Sequence, residues 1–198
     1  MIALMLALLV FLFPLAYSPG PGNMFFAANG ARFGVRATLP ASAGYHLATW
    51  IVTAAIGFGF AATLERFPQL FVAIKWAGSA YVLYLAWKLF RAGAIENVGE
   101  ARPAGFMDGV VLLVLNPKAY VIIALMFTQF LSSGVENRLA LILLITTVFT
   151  LNNLVAFTAW TAVGDGIARQ FQDEAHAHRM NMALGAILAA VAVWMLLG

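Results

Sequence analysis

The sequence predicts an all-α membrane protein of about six transmembrane helices, arranged as two inverted three-helix repeats with broken first and fourth helices. Three observations lead there. The first is composition: 63% of the 198 residues are hydrophobic and only 10% are charged. A soluble domain carries about 25% charged residues to cover its water-facing surface. The second is a series of apolar segments about 20 residues long, the length that crosses a hydrocarbon core of roughly 30 Å. The third is a pair of proline-centred breaks inside apolar stretches, one in each half of the chain. Cysteine is absent, which excludes disulfides, thiolate metal sites and thiol relays. The net charge of +3 is spread over short connections without a basic cluster, so nucleic-acid binding has no footprint.

The qualifying segments are 2–18, 39–63, 69–90, 107–131, 139–164 and 180–197. The first reads as a mature helix and not as a cleaved signal peptide, because Met1-Ile2-Ala3-Leu4 lacks a basic n-region and no soluble domain follows. Pro14, alone within it, is expected only to kink it. Polar connections lie at Glu65-Arg66, 134–138 and 165–179, with a longer cytoplasmic linker at about 92–104. Residues 1–198 thus form one transmembrane transporter domain, with repeat halves of about 1–91 and 105–198. Lys and Arg set the orientation. With the N-terminus outside, Arg32, Arg36, Lys88, Arg91, Arg102, Arg169 and Arg179 fall inside, and only Arg66 and Arg138 fall outside. Both termini are therefore expected to be periplasmic. Trp87 and Trp194 fall near helix ends, where aromatic belts form.

The repeat reading comes from sliding residues 47–90 onto 154–197, which gives eight identities in 44 positions, three of them glycines and one tryptophan. Shared membrane composition is the plain alternative. Three helices is an odd number, so a repeated half would be inverted in the membrane, as in many secondary transporters.

The first break is Ser18-Pro19-Gly20-Pro21-Gly22, followed by a weakly apolar run from Asn23 to about Phe33. The second is Asn116-Pro117-Lys118, near the middle of the fourth segment. Proline has no backbone N–H, so Pro19, Pro21 and Pro117 remove the helical partners of the Leu15, Tyr17 and Leu113 carbonyls. In hydrocarbon each orphan costs several kcal/mol, and such backbone persists only beside protein or a wet cavity. Asn116 suits an N-cap and Pro117 a first helical position, and Gly22-Asn23 is a similar start after the first break. Helix N-termini offer free N–H groups and partial positive charge to a carboxylate.

Buried polar residues complete the candidate substrate site: Pro19, Gly20, Pro21, Gly22, Asn23, His46, Asn116, Pro117, Lys118, Asn152 and Asn153. Lys118 lies in the middle of an apolar segment, where charge is expensive and usually functional. Lys75, near a helix end, reads as an anchor, and Asp108 as an interface or cap residue. Under the shift of 107, His46 corresponds to Asn153 and Tyr45 to Asn152. His46 is open between a core histidine and a ligand or proton carrier. His176 and His178, beside Asp173 and Glu174, read as a solvated connection and not as a metal site.

Pro19-Gly20-Pro21-Gly22-Asn23 resembles the PGP-(D/N) motif of the LysE/RhtB amino-acid exporters. Arg32-Phe33-Gly34-Val35-Arg36 followed by Gly44 is similar to that family's glycine-basic turn. Lys75-Trp76-Ala77-Gly78-Ser79-Ala80-Tyr81-Val82-Leu83 resembles its third-helix pattern, and Phe106, Gly109 and Asn116-Pro117-Lys118 its F-x-x-G…N-P-K element. The blocks come in family order and cover nearly the whole chain. Two positions depart: Thr38 replaces a common second glycine, and Asn23 stands where many members carry Asp. The resemblance implies efflux of amino acids or related metabolites across the bacterial inner membrane, driven by protons, with no cofactor and no enzymatic step. The expected partners are a small-molecule substrate, the lipid bilayer and a second copy of the chain.

Without a mid-membrane acid, a neutral zwitterion suits the breaks better than a cation. Its carboxylate would meet the helix starts and Lys118, and its ammonium the carbonyls near Tyr17 and Leu113. A metal-ion exporter of the same superfamily is the alternative, disfavoured by the missing cysteines and scarce carboxylates. A membrane-embedded enzyme would need a nucleophile with its base or clustered ligands, and lone His46 supplies neither.

Overall fold

The computed structural model describes residues 2–60, 68–91, 102–131 and 137–170, and part of 179–193. The connection at Glu65-Arg66, most of 92–104, most of the 134–138 turn and residues 171–178, with His176 and His178, lie outside the described residues. So do Trp194 and the side chains of Lys75, Lys88, Arg91 and Arg169. The described elements are all helical: α1 (Ile2–Tyr17), α2 (Pro21–Ala55) continued by a π-turn (Ile56–Phe60), α3 (Pro68–Arg91), α4 (Phe106–Val114), α5 (Pro117–Phe130) and α6 (Arg138–Gln170).

Both breaks form where proline demands them. α1 and α2 meet at 64°, α4 and α5 at 63°. By length and composition α6 crosses a membrane unaided over Arg138–Ala168, and the two bent pairs raise the number of spans to as many as three among the described residues. The segment expected at 69–90 is helix α3, and 180–197 is described only in part. The second helix start differs from expectation by two residues. Pro21, not Gly22-Asn23, takes the first helical position, and Gly20 is the N-cap.

α2 is two helical legs joined at Gly34, and the second folds back on the first. Gly34 has φ 81 and ψ 168, a conformation essentially open only to glycine. On either side of it, Asn29 Nδ2 donates to Thr38 Oγ1 at 2.9 Å, and the Phe26 and Tyr45 rings lie 5.7 Å apart. Residues 21–33 run alongside α6 in its own direction, Gly22 facing Phe157 and Gly164 facing Ala27. Residues 35–55 run the other way. Tyr45 packs on Phe157, Trp50 Nε1 donates to Thr147 Oγ1, and Gly57 meets Ile142. The weakly apolar run before residue 34 is thus the inner half of the first broken helix, and the second helix starts earlier than the expected residue 39.

Packing follows membrane rules, in which close backbone approach replaces hydrophobic collapse. α4 crosses the second leg of α2 at a reciprocal glycine contact. A Cβ on Gly109 would overlap the Ala41 carbonyl, and one on Gly44 the Phe106 carbonyl. Leu8 and Leu12 of α1, Ile123 and Met126 of α5, and Ile142, Ile145 and Phe149 of α6 form one buried cluster. Outward, α6 exposes Leu151, Leu154, Val155 and Val163, and the second leg exposes Leu47 and Ile51. An apolar face of that extent is suited to lipid.

Candidate functional site

The two breaks share one design. Each has an extended residue followed by proline at the first helical position: Gly20 (φ −169, ψ 175) before Pro21, and Asn116 (φ −96, ψ 97) before Pro117. The carbonyls that the prolines strand are not left free. Leu15 O accepts from Ser18 Oγ at 3.1 Å, Tyr17 O from Trp160 Nε1 at 3.2 Å, and Leu113 O from Asn116 N at 2.9 Å. The expectation of open carbonyls near Tyr17 and Leu113, ready for an ammonium, is corrected: buried acceptors recruit donors, and here the donors come from the protein. Side chains of the second half-helices reach back similarly. Asn23 Nδ2 donates to Ala16 O at 2.8 Å, and Tyr120 OH to Val114 O at 3.0 Å.

The breaks also touch each other. Lys118 Nζ donates to Ser18 O at 2.9 Å and to Ser18 Oγ at 3.0 Å, across 100 residues of chain. Gly20 leaves the room for it, since a Cβ there would stand 3.0 Å from Lys118 Nζ. Lysine at the carboxyl end of α1 also meets the negative end of that helix's dipole. Asn116 occupies the N-cap position, but its side chain makes no capping bond. It donates instead from Nδ2 to Tyr45 OH at 3.1 Å, and its Oδ1 is buried without a partner.

Between the breaks lies a cavity of about 10 Å³, walled by Leu15, Ala16, Asn23, Tyr45, Asn116, Lys118, Ala119, Ile122, Phe149, Asn153 and Phe157. That is room for about one water molecule. The structure therefore brings Asn23, Asn116, Lys118 and Asn153 together on one cavity, with Gly20 against Lys118 and Gly22 against Phe157 and Tyr45. Pro19 is exposed, and Asn152, with its Nδ2 unpartnered, stands off the cavity wall. His46, 6% exposed, lies one side chain behind the wall, its ring 5.3 Å from Tyr45 and 5.5 Å from Phe157. Ser18, Tyr45, Phe157 and Trp160 are contributors that the candidate set omitted. Tyr45 carried a signal as the repeat partner of Asn152, whereas an aromatic residue in a membrane helix, such as Phe157 or Trp160, carries none.

The model of the LysE type translocator family matches residues 13–198. The chain is 28% identical over 184 residues to a homoserine/homoserine lactone efflux protein of Salmonella typhimurium, covering 89% of this chain and 88% of that one. It is 26% identical over 184 residues to a cysteine/O-acetylserine efflux protein of Klebsiella pneumoniae, covering 90% and 89%. An uncharacterized membrane protein of Vibrio cholerae is 27% identical over 175 residues, covering 86% and 85%. No solved structure matches the chain.

Proposed function

The chain belongs to the LysE type translocator family, and from that premise we propose that it exports a small neutral amino acid or a derivative across the bacterial inner membrane, by alternating access coupled to protons. The observation that carries this reading is the meeting of the two breaks at Lys118 and Ser18, beside the amide-lined cavity. From the Gly34 turn to Gly20, and from the same turn to His46, is roughly 20 Å of helix, which sets the cavity near the middle of the hydrocarbon core. Lys118 and the starts of α2 and α5 offer positive charge and N–H groups to a carboxylate. The lining holds amides, a phenol and an amine but no acid, which favours a zwitterion of zero net charge over a cation. The relatives' names point to the same class, small polar amino acids and their derivatives.

In this reading the conformation is the closed one. A cavity of about 10 Å³ excludes an amino acid. Substrate entry requires the Lys118 to Ser18 contact to open, and the substrate carboxylate compensates Lys118 for the carbonyl it leaves. About six spans, in two inverted halves, would place one broken helix in each half so that they rock against each other around the site. The test is efflux from vesicles loaded with homoserine, with and without a proton gradient. Efflux above that of protein-free vesicles, stimulated by the gradient, is expected; its absence across a panel of small neutral amino acids and derivatives removes the reading.

Orientation is part of the proposal. Arg32 and Arg36 flank the Gly34 turn, at the same end as Asp165 and as Ala104, whose N–H donates to Asn29 Oδ1 at 3.3 Å. A basic turn of this kind belongs on the cytoplasmic side. Reporters fused after Glu100 and after Gly198 are expected to report opposite sides, Glu100 inside; a cytoplasmic C-terminus overturns the topology.

A further inference from the structure

His46 holds an atom that nothing above uses. Its Nδ1 lies 2.7 Å from the Ser42 carbonyl, an acceptor, so Nδ1 carries the hydrogen and Nε2 is left with a bare lone pair. Nε2 is buried, has no hydrogen bond, and faces the backbone of Asn153. A purely structural residue in this place gains nothing from a desolvated basic nitrogen, and leaving such an atom unpaired is costly. One added proton resolves the conflict. Nε2 becomes a donor and can bond the Asn153 carbonyl, while Nδ1 keeps its bond to Ser42.

We propose that His46 Nε2 is the proton-binding site that couples export to the proton gradient; this rests on the transport reading given above. The proton enters from the periplasmic side once substrate has left, binds Nε2, and departs to the cytoplasm when the site faces inward. One proton is bound and one released, and no other bond is made or broken. The groups facing His46 do not compete for this role. From residues 21–33 comes Phe26, from its own leg Ser42 and Tyr45, and from α6 Asn153 and Phe157. Tyr45 is the titratable side chain among them, and its hydroxyl is held by Asn116. On α5, the opposite wall carries Lys118, which is tied to Ser18. Two aromatic rings, at 5.3 and 5.5 Å from the imidazole, soften the burial of its charge. The link to substrate is contact: Tyr45, Asn153 and Phe157 touch His46 and also wall the cavity, so a proton and a substrate act on the same side chains.

The experiment uses the full chain in vesicles with homoserine as probe, measuring downhill efflux, counterflow, and uphill transport driven by an imposed pH gradient. The wild type is expected to perform all three. His46→Gln is expected to lose the gradient-driven component completely, while counterflow, which needs no net proton movement, falls far less. Gradient-driven transport by H46Q at the wild-type level overturns the proposal. A wild type inactive in all three modes overturns instead the transport reading beneath it, so the two failures are distinguishable. If H46Q also loses counterflow, a second measurement decides. In an H176Q/H178Q protein His46 is the single histidine, and its ring nitrogens can be followed by NMR in micelles. Nε2 should gain a proton as the pH is lowered, and homoserine should displace that transition. A ring that stays neutral throughout, or a transition that homoserine does not move, overturns it.

Discussion

Gly109→Ala is expected to destabilise the protein by about 2–3 kcal/mol, and Gly109→Val to leave little folded protein in detergent. At Gly20, Gly22 and Gly57 an added methyl meets a side chain, which can rotate away. At Gly109 it would run into the Ala41 carbonyl and the Tyr45 backbone, and neither can rotate. Gly44→Ala meets the same obstacle from the other helix, at the Phe106 carbonyl. Both substitutions push α4 and the second leg of α2 apart, so the double variant should cost less than the two single costs added, a coupling expected of neighbours that share one contact. Gly166→Ala is the control. A Cβ there meets nothing within 4 Å, and alanine's better helix propensity should leave stability unchanged or slightly raised. The readout is thermal unfolding in detergent followed by size exclusion. G109A should lower the midpoint by roughly 5–10 °C, with G166A at the wild-type value. A G109A protein as stable as wild type would show that the two helices do not cross where the structure puts them.

Both breaks were legible in the sequence for the reason that makes them stable now: proline removes an N–H, and no reading of Pro21 or Pro117 as mid-helix residues satisfies the backbone in hydrocarbon. Local chemistry of that kind needs no knowledge of the partner. Leu15 and Leu113 are repaired locally, by Ser18 and Asn116, but what repairs Tyr17 and ties the two breaks together was not legible, because those donors are distant in the chain. Trp160 lies 143 residues from Tyr17, and Lys118 lies 100 from Ser18. A donor that far away is selected by packing. Asn116 shows the same limit at short range. Its residue type suits a cap and its backbone takes the cap position, yet Tyr45 captures its amide. The hairpin at Gly34 lay between these cases. The resemblance of Arg32-Phe33-Gly34-Val35-Arg36 to a glycine-basic turn marked the place, but two helical legs that reverse at a single glycine, with no loop between them, have no signature in periodicity. The placement of His46 against Asn153 follows from the antiparallel run of the second leg along α6, a contact that the shift of 107 names as equivalent positions without saying that they touch.

Lys118→Met is expected to reduce efflux by about tenfold or more while leaving insertion and folding largely intact. Methionine fills the volume of the lysine stem, so packing beside Gly20 survives. What disappears is the ammonium that bridges the two breaks and, in the proposed cycle, receives the substrate carboxylate. The loss has two parts that different probes separate. The closed state loses the donor to Ser18 O and Oγ, a structural cost of about 1–3 kcal/mol that thermal unfolding measures. Substrate recognition loses its anion partner, which competition reads. Homoserine should compete better than its amide, which lacks the carboxylate, in the wild type, and the two should compete equally in K118M. Asn116→Ala tests the same wall without touching charge. It removes the donor to a Tyr45 hydroxyl that has almost no access to solvent, at a cost of about 1 kcal/mol, and the shape of the cavity wall depends on that bond. Efflux per folded molecule should therefore fall further than stability does. Rates at the wild-type level in both variants, after normalising to folded protein in the membrane, would leave the two breaks as architecture and move the substrate path elsewhere. If instead only K118M fails, and fails equally for homoserine and its amide, Lys118 is the latch that closes the breaks and not the group that reads the carboxylate.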